Sequence, residues 1–145
     1  MNILLTDFQH LGWRPEQGDK EIFIKTTIFI FLNQLVLLDA VLKTIKTDKL
    51  LENTLESGDV LMRGLRELEA RYPQYLRAAR GRGTFCAIDC DSGARRDQVL
   101  AGLRARGVHC GGCGEAAIRL RPALVFQPHH ANILLETLED VVKTL

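Results

Sequence analysis

Two glycine-rich segments, each followed directly by apolar residues, restrict the folds that are open to this chain. The first runs from Arg80 to Asp89 (RGRGTFCAID), and the second runs from Gly111 to Pro122 (GGCGEAAIRLRP). Glycine permits tight turns and close backbone approach, and alternating or short apolar runs after such turns are typical of β-strands. The sequence therefore predicts two strands that are each entered from a glycine turn, and the second strand carries arginine.

The segments around these strands have the spacing of amphipathic helices, with apolar residues three or four positions apart. Thr47 and Asp48 are expected to cap the second helix, and Pro73 is expected to limit it. Gly107 is expected to end the third helix, and Pro128 is expected in the first turn of the last helix. The predicted helices cover residues 35–45, 51–72, 95–106 and 128–145. The predicted strands cover residues 84–89, 108–110, 117–120 and 123–126. This order indicates an α/β (α+β) fold, a small mixed β-sheet backed by helices on one face.

The amino-terminal part of the chain has a different character. Residues 1–25 show no sustained period and are predicted as loop, and residues 1–34 are expected to form a divergent segment ahead of a domain at 35–145. The apolar run at 26–38 contains Asn33 and Gln34 and stops at Asp39, short of the roughly 20 apolar residues that a membrane span needs. No membrane partner and no targeting signal are expected.

Composition narrows the class of protein without naming a function. The 145 residues fit one domain, and a formal net charge of +1 with 26% charged and 46% hydrophobic residues is ordinary for a globular protein. Twelve arginines and six acidic residues lie between Arg63 and Arg121, but aromatic residues are sparse there, so no nucleic-acid partner is expected. Four cysteines favour a reduced intracellular setting.

The cysteines resemble a metal pattern only partly. Cys86 and Cys90 precede Cys110 and Cys113, but the first pair lacks the two-residue spacing of the second, and Cys86 lies in a predicted strand, where thiols serve as small apolar groups. Cys110 and Cys113 could form a redox dithiol, but such pairs stand ahead of a helix, and here a strand is predicted. We therefore expect no metal site.

The strand at 117–120 supplies the best candidate for binding. Arginine can form two parallel charge-assisted hydrogen bonds to one carboxylate. Alternation along a strand places Arg119 and Arg121 on the same face, so spacing alone does not choose between them. Two surface arginines in ion pairs are the alternative interpretation.

These motifs, taken together, resemble the C-terminal small domain of class III pyridoxal-phosphate-dependent aminotransferases, the 4-aminobutyrate aminotransferases among them. The similarity extends over residues 37–145. It is carried by the segments 37–54, 71–74, 80–89, 107–108, 111–126 and 128–130.

The resemblance implies roles for particular residues. Arg119 matches the arginine that contacts the α-carboxylate of glutamate or 2-oxoglutarate, and Gly112 and Gly114 match glycines that line the substrate entrance. The family's Schiff-base lysine has no counterpart in the matched region, so no residue is assigned to catalysis or to cofactor binding, and pyridoxal phosphate is expected only in the complete enzyme.

The resemblance also implies a function for the chain. The family reaction transfers the amino group of 4-aminobutyrate to 2-oxoglutarate and gives succinate semialdehyde and glutamate. We expect a truncated isoform that is inactive alone. A non-catalytic module that binds dicarboxylates or docks onto a full-length subunit is the alternative. The family works as a homodimer in the mitochondrial matrix, and a cytoplasmic location stays open.

Overall fold

A computed structural model describes residues 17–145 of the chain. The chain separates into two compact units, of which the first ends at Thr44 and the second spans Ile45–Leu145. The elements are α1 (Gln17–Thr47), α2 (Leu50–Arg71), β1 (Leu76–Arg82), β2 (Phe85–Cys90), α3 (Gly93–Ala105), β3 (Gly111–Cys113), β4 (Ala117–Leu120) and α4 (Pro128–Val142).

Helix α1 corrects the interpretation of the amino-terminal part. Residues 17–25 are helical rather than loop, and residues 1–16 of that prediction lie outside the described residues. Asn33 interrupts the apolar run but not the helix, and its Nδ2 donates to the carbonyl oxygen of Phe29 at 2.8 Å. The predicted domain boundary after residue 34 falls inside this helix and stays a prediction.

Most of the apolar side chains that the structure describes in α1 are exposed, Phe29 and Val36 by more than 60%. The stretch Ile24–Thr47, 24 residues, is long and apolar enough to cross a membrane by length and composition, which the sequence interpretation did not expect.

The second unit is built on a four-stranded sheet in the order β1-β2-β4-β3, with antiparallel pairing throughout. The α/β class is confirmed, with helices against one face of the sheet. In β2 the even residues Cys86, Ile88 and Cys90 are buried. The residues between them are half-buried or exposed. Helices α2 and α3 pack on the buried face, and α4 packs against both helices.

One apolar core joins these layers. It contains Leu61, Leu65 and Leu68 from α2, Val99 and Leu103 from α3, and Leu134, Leu138 and Val141 from α4, all at most 8% exposed. The amphipathic spacing predicted for the last two helices is thereby confirmed. Burial of this kind contributes about 25 cal/mol per Å² of apolar surface and is the main force that holds the helices on the sheet.

Strand β1 was not expected from the sequence. Only Leu76 is buried in it, and the register shifts between Arg77 and Arg80, where Ala78 adopts a positive φ of 53°. Glu69 on α2 stabilises this bulge, because its carboxylate accepts the backbone N–H of Ala78 at 2.6 Å. A bulge of this kind redirects side chains, and here it leaves Arg77 and Arg80 on the same face of the sheet.

Three other predictions are wrong in detail. Helix α2 has Lys49 as its N-cap, without a side-chain hydrogen bond, rather than a cap from Thr47 or Asp48. The third strand lies at Gly111–Cys113 instead of 108–110. Residues 123–126 form a turn rather than a strand, because Pro122 ends the ladder and the Phe126 N–H closes a turn onto the Ala123 carbonyl at 3.0 Å.

Candidate carboxylate-binding site

The exposed face of the sheet carries a row of four residues, one from each strand. Arg80 pairs with Ala87, Ala87 pairs with Arg119, and Arg119 pairs with Gly111. Directly opposed residues of antiparallel strands present their side chains on the same face. Arg119 therefore lies between two residues with little or no side chain, which leaves its guanidinium uncovered on both sides.

Gly111 lies next to the Arg119 guanidinium. A Cβ placed on Gly111 would stand 3.6 Å from Arg119 Nη2, so the guanidinium extends across the backbone of β3. Arg119 therefore lies beside the glycine segment, and the adjacent glycine is Gly111.

The two other predicted glycines lie elsewhere. Gly112 pairs with Ile118, and a Cβ on it would stand 3.2 Å from Arg96 Cδ and Nε. Gly114 has a φ of +55° in the turn between β3 and β4. Of the three glycines, Gly111 lines the cavity described next. That Gly112 and Gly114 line the substrate entrance stays a prediction from the resemblance.

A cavity of 490 Å³ opens beside this row. Arg119 and Arg121 both line it, together with apolar side chains, backbone and two histidines. Small-molecule sites have volumes of about 300–1,000 Å³ and a few polar groups in a largely apolar wall. The remaining lining residues are Leu61, Gly107 to Gly111, Leu120, Pro122, Phe126, His130, Ile133 and Leu134.

The charge of the two cavity arginines is uncompensated within residues 17–145. Arg80 in the same row pairs with Asp89, with 2.9 Å between Nη2 and Oδ1, and this hydrogen bond raises the pKa of Arg80. No carboxylate and no other acceptor in that part of the chain bonds to the side chains of Arg119 or Arg121. The interpretation of Arg119 and Arg121 as surface ion-pair residues therefore finds no support among the described residues.

His130 has a structural role at the rim of this cavity. Its Nδ1 accepts the backbone N–H of Gln127 at 3.0 Å, and the Gln127 side chain completes the capping box at the start of α4. The ring of Phe126 lies 5.6 Å from that of His130. The sequence did not place His130 at the site, because residues 123–126, which form the turn ahead of α4, are predicted as strand.

The four cysteines differ in how far they are buried. Burial raises the pKa of Cys86 and of Cys110, and burial followed by the negative charge of Asp91 raises the pKa of Cys90 to about 11. These three groups are therefore thiols at neutral pH, while Cys113 is exposed. Within the described residues no group of three or more His, Cys, Asp or Glu side chains could hold a metal ion.

The lysines whose side chains the structure describes do not fit the role of an imine-forming group. Such a lysine needs a lowered pKa and a place in the site. Hydrogen bonding to Glu139 raises the pKa of Lys143 instead. Lys43 is 73% exposed and pairs with Asp39. None of the lysines whose side chains the structure describes lines the cavity.

The sequence matches the family "Aminotransferase class-III" over residues 33–142, and the chain belongs to that family. Members of this family are pyridoxal-phosphate-dependent transferases.

Individual relatives narrow the comparison. The chain is 44% identical over 107 residues to the mitochondrial 4-aminobutyrate aminotransferase of Sus scrofa, which covers 74% of this chain and 21% of that protein. It is 48% identical over 104 residues to the 4-aminobutyrate aminotransferase of Schizosaccharomyces pombe, covering 70% and 22%. A lysine aminotransferase from M. tuberculosis matches in structure with a TM-score of 0.69 and 27% identity, covering 72% of this chain and 24% of that chain. The chain thus spans about a fifth of the length of these curated relatives.

Proposed function

We propose that this chain is the substrate-orienting small domain of a 4-aminobutyrate aminotransferase, and that Arg119 binds the α-carboxylate of a glutamate-type or 2-oxoglutarate-type dicarboxylate. The proposal is supported chiefly by one observation. Arg119 lines a 490 Å³ cavity without a carboxylate partner among residues 17–145, whereas its neighbour Arg80 has one. A guanidinium in that position offers its planar donors to a ligand carboxylate.

The residues of this chain would act by binding and orientation. The fork of Arg119 fixes the plane of one carboxylate, and Arg121, which also lines the cavity, adds a second positive charge. The wall formed by Phe126 and Leu134 reduces contact with water and so strengthens these charge-assisted bonds.

Pyridoxal phosphate supplies the electron sink for amino transfer when it is bound in a complete family enzyme. The described lysines do not fit its attachment, so we propose that this chain alone binds no cofactor and transfers no amino group. In a complete enzyme the reaction would move the amino group of 4-aminobutyrate to 2-oxoglutarate, giving succinate semialdehyde and glutamate. Mitochondrial location and homodimer assembly belong to this proposal, supported by the names of the mammalian relatives for location.

Calorimetric titration with 2-oxoglutarate tests the binding role. We expect Arg119→Ala to weaken binding about 10- to 100-fold, since one charge-assisted hydrogen bond contributes about 1.5–3 kcal/mol. Arg104→Ala is the matched control, because Arg104 is exposed on α3 and does not line the cavity. Equal affinities of the native chain and Arg119→Ala for 2-oxoglutarate would refute the role of Arg119. An Arg104→Ala chain that binds 2-oxoglutarate as weakly as Arg119→Ala would show that the attraction depends on overall positive charge and not on this site.

The second candidate is docking onto a full-length subunit, and the arginine face of the sheet favours it. The bulge in β1 places Arg77 and Arg80 on this face, and Arg82 pairs with Phe85, which is 57% exposed. Asp89 is the acid on β2 that faces them, and it is paired with Arg80. A face with this charge complements a protein surface that carries carboxylates. Its single aromatic residue among the strands does not suit base stacking by single-stranded nucleic acid.

Binding to a purified full-length relative separates docking from ligand binding. The Sus scrofa 4-aminobutyrate aminotransferase is a suitable partner, and we expect a complex that weakens as salt rises. The double variant Arg77→Ser, Arg82→Ser should weaken the complex and leave 2-oxoglutarate binding unchanged. Arg104→Ser should leave both unchanged. A complex of the same strength with the double variant would eliminate this face as the docking surface.

A further inference from the structure

We infer that Arg96 is a positioning residue for the proposed carboxylate site, which it serves by holding the turn between β3 and β4. The inference rests on the proposed function of Arg119, because it concerns how Gly111 is kept beside that side chain. Arg96 does not line the cavity and touches no ligand-binding atom.

The guanidinium of Arg96 is bonded on two sides. Its Nη1 donates to the carbonyl oxygens of Gly114 and Glu115, each at 3.0 Å, and its Nε donates to Asp97 Oδ1 at 2.9 Å. The side chain is 18% exposed. One charged group therefore satisfies two successive carbonyl groups of the turn, and hydrogen bonds from a charged donor are roughly twice as strong as neutral ones.

Glycines make the approach of Arg96 possible. A Cβ on Gly93 would stand 2.8 Å from the carbonyl oxygen of Glu115, so the first turn of α3 lies directly against the β3–β4 turn. A Cβ on Gly112 would stand 3.2 Å from Arg96 Cδ and Nε. Gly112 thus provides the space in which the arginine stem lies, a role different from the one that the resemblance implies.

The first turn of α3, which carries Arg96, is held by a cap and by a contact with an aromatic ring. Ser92 caps the helix, with its Oγ accepting the backbone N–H of Arg95 at 3.2 Å. The guanidinium of Arg95 lies 4.9 Å from the centre of the Tyr75 ring. The hydrogen bonds from Arg96 to Gly114 and Glu115, which we call the clamp, therefore connect the capped N-terminal end of α3 to the turn.

The turn controls the short strand β3. This strand has three residues and pairs with β4 through Gly111–Arg119, Gly112–Ile118 and Cys113–Ala117. It lies at the edge of the sheet, and a three-residue edge strand has few bonds to hold its register. Loss of the clamp would let β3 move at its Cys113 end, and Gly111 would no longer keep its place beside Arg119.

Three variants of the full chain test the clamp by two measurements. Amide hydrogen exchange of residues 111–116 reports the turn directly, and calorimetric titration with 2-oxoglutarate reports the site. We expect Arg96→Ala to accelerate exchange in residues 111–116 at least tenfold and to weaken 2-oxoglutarate binding about fivefold, while residues of α4 keep their protection. Arg96→Lys should restore part of both effects, since its ammonium can donate to the same two carbonyls but has no Nε–H to keep the bond to Asp97. Arg104→Ala is the control and should change neither.

The outcomes separate this inference from the function on which it rests. Faster exchange with unchanged affinity would overturn the positioning role, because the turn would then move without consequence for the site. Unchanged exchange in Arg96→Ala would overturn the clamp itself. If the native chain bound no 2-oxoglutarate, or Arg119→Ala bound it equally well, the proposed function would fail, and the exchange result would still decide whether Arg96 holds the turn.

Discussion

Replacing Gly58 with alanine should destabilise the protein, although glycine is normally a poor residue inside a helix. In an open helix the substitution would stabilise by about 1 kcal/mol. In α2, however, a Cβ at position 58 would overlap the carbonyl carbon of Gly83 and lie 2.5 Å from its Cα. These are backbone atoms of the turn between β1 and β2, so no side-chain rotation can relieve the overlap.

The magnitude follows from three contributions. Carbon atoms in contact are normally about 3.5–4 Å apart, so the helix and the turn must separate by roughly 1 Å. Overpacking of this kind costs about 1–3 kcal/mol. The movement also strains the bond that Ser57 Oγ donates to the Phe126 carbonyl at 2.9 Å, and a weakened buried hydrogen bond costs about 1 kcal/mol more. After the gain of about 1 kcal/mol in helix propensity, we expect a net loss of about 1–3 kcal/mol.

Urea unfolding followed by circular dichroism measures this loss as a lower midpoint at constant slope. Gly64→Ala is the matched control, since it is the same change in the same helix, and its Cβ would meet only the side-chain end of Leu135, which can rotate away. We expect its effect to be within about 1 kcal/mol of the native chain. A Gly58→Ala protein as stable as the native chain, or more stable than Gly64→Ala, would show that α2 and the turn do not approach as closely as described.

Two other changes have defined outcomes. Because burial and then Asp91 raise the pKa of Cys90 from 9.0 to about 11, the folded chain keeps this proton where the unfolded chain loses it. The stability from this thiol is present below pH 9.0 and falls as the pH approaches 11, by up to about 3 kcal/mol, so urea midpoints of Cys90→Ala should decline less steeply over that range. An equally steep decline would contradict the assignment. Ala87→Asp should place a carboxylate opposite Arg119 and weaken 2-oxoglutarate binding at least about tenfold, while Ala87→Asn, of equal size, should not; equal loss in both would point to crowding instead of charge.

Local patterns predicted the parts of the fold that local forces determine. Four such predictions agree with the structure. The side chains of β2 alternate between buried and exposed, and α2 ends before Pro73. Gly107 follows α3 with a left-handed φ of +86°, and Pro128 begins α4. Each depends on the conformational preference of one residue or on a period within one element. The elements bounded in this way needed no information about their neighbours.

Strand β1 could not be predicted for the opposite reason. Its seven residues, LRAARGR, include one buried apolar side chain and three arginines. Its order depends on pairing with β2 and on the Glu69 carboxylate, which bonds the bulge from a separate helix. A strand whose stability comes from partners rather than from its own apolar residues leaves little trace in a single sequence.

The site shows the same division between local and non-local information. The sequence predicted an arginine on a strand that follows glycines, and Arg119 lies on β4. The choice of glycine was not predicted, because a shift of one residue in register moves every side chain to the other face. The observed register pairs Arg119 with Gly111 and turns Gly112 toward Arg96.

The placement of acids on β2 connects the fold to the proposed binding role. Asp89 and Ala87 point to the same exposed face two residues apart, and Arg119 is opposite Ala87. The acid therefore neutralises Arg80 on one side and faces Ala117, not Arg119, on the other. An acid two positions earlier would pair with Arg119 and remove the charge that a substrate carboxylate needs. The same strand thus holds one arginine in an ion pair and leaves the next free, which is the distinction on which carboxylate recognition by this domain depends.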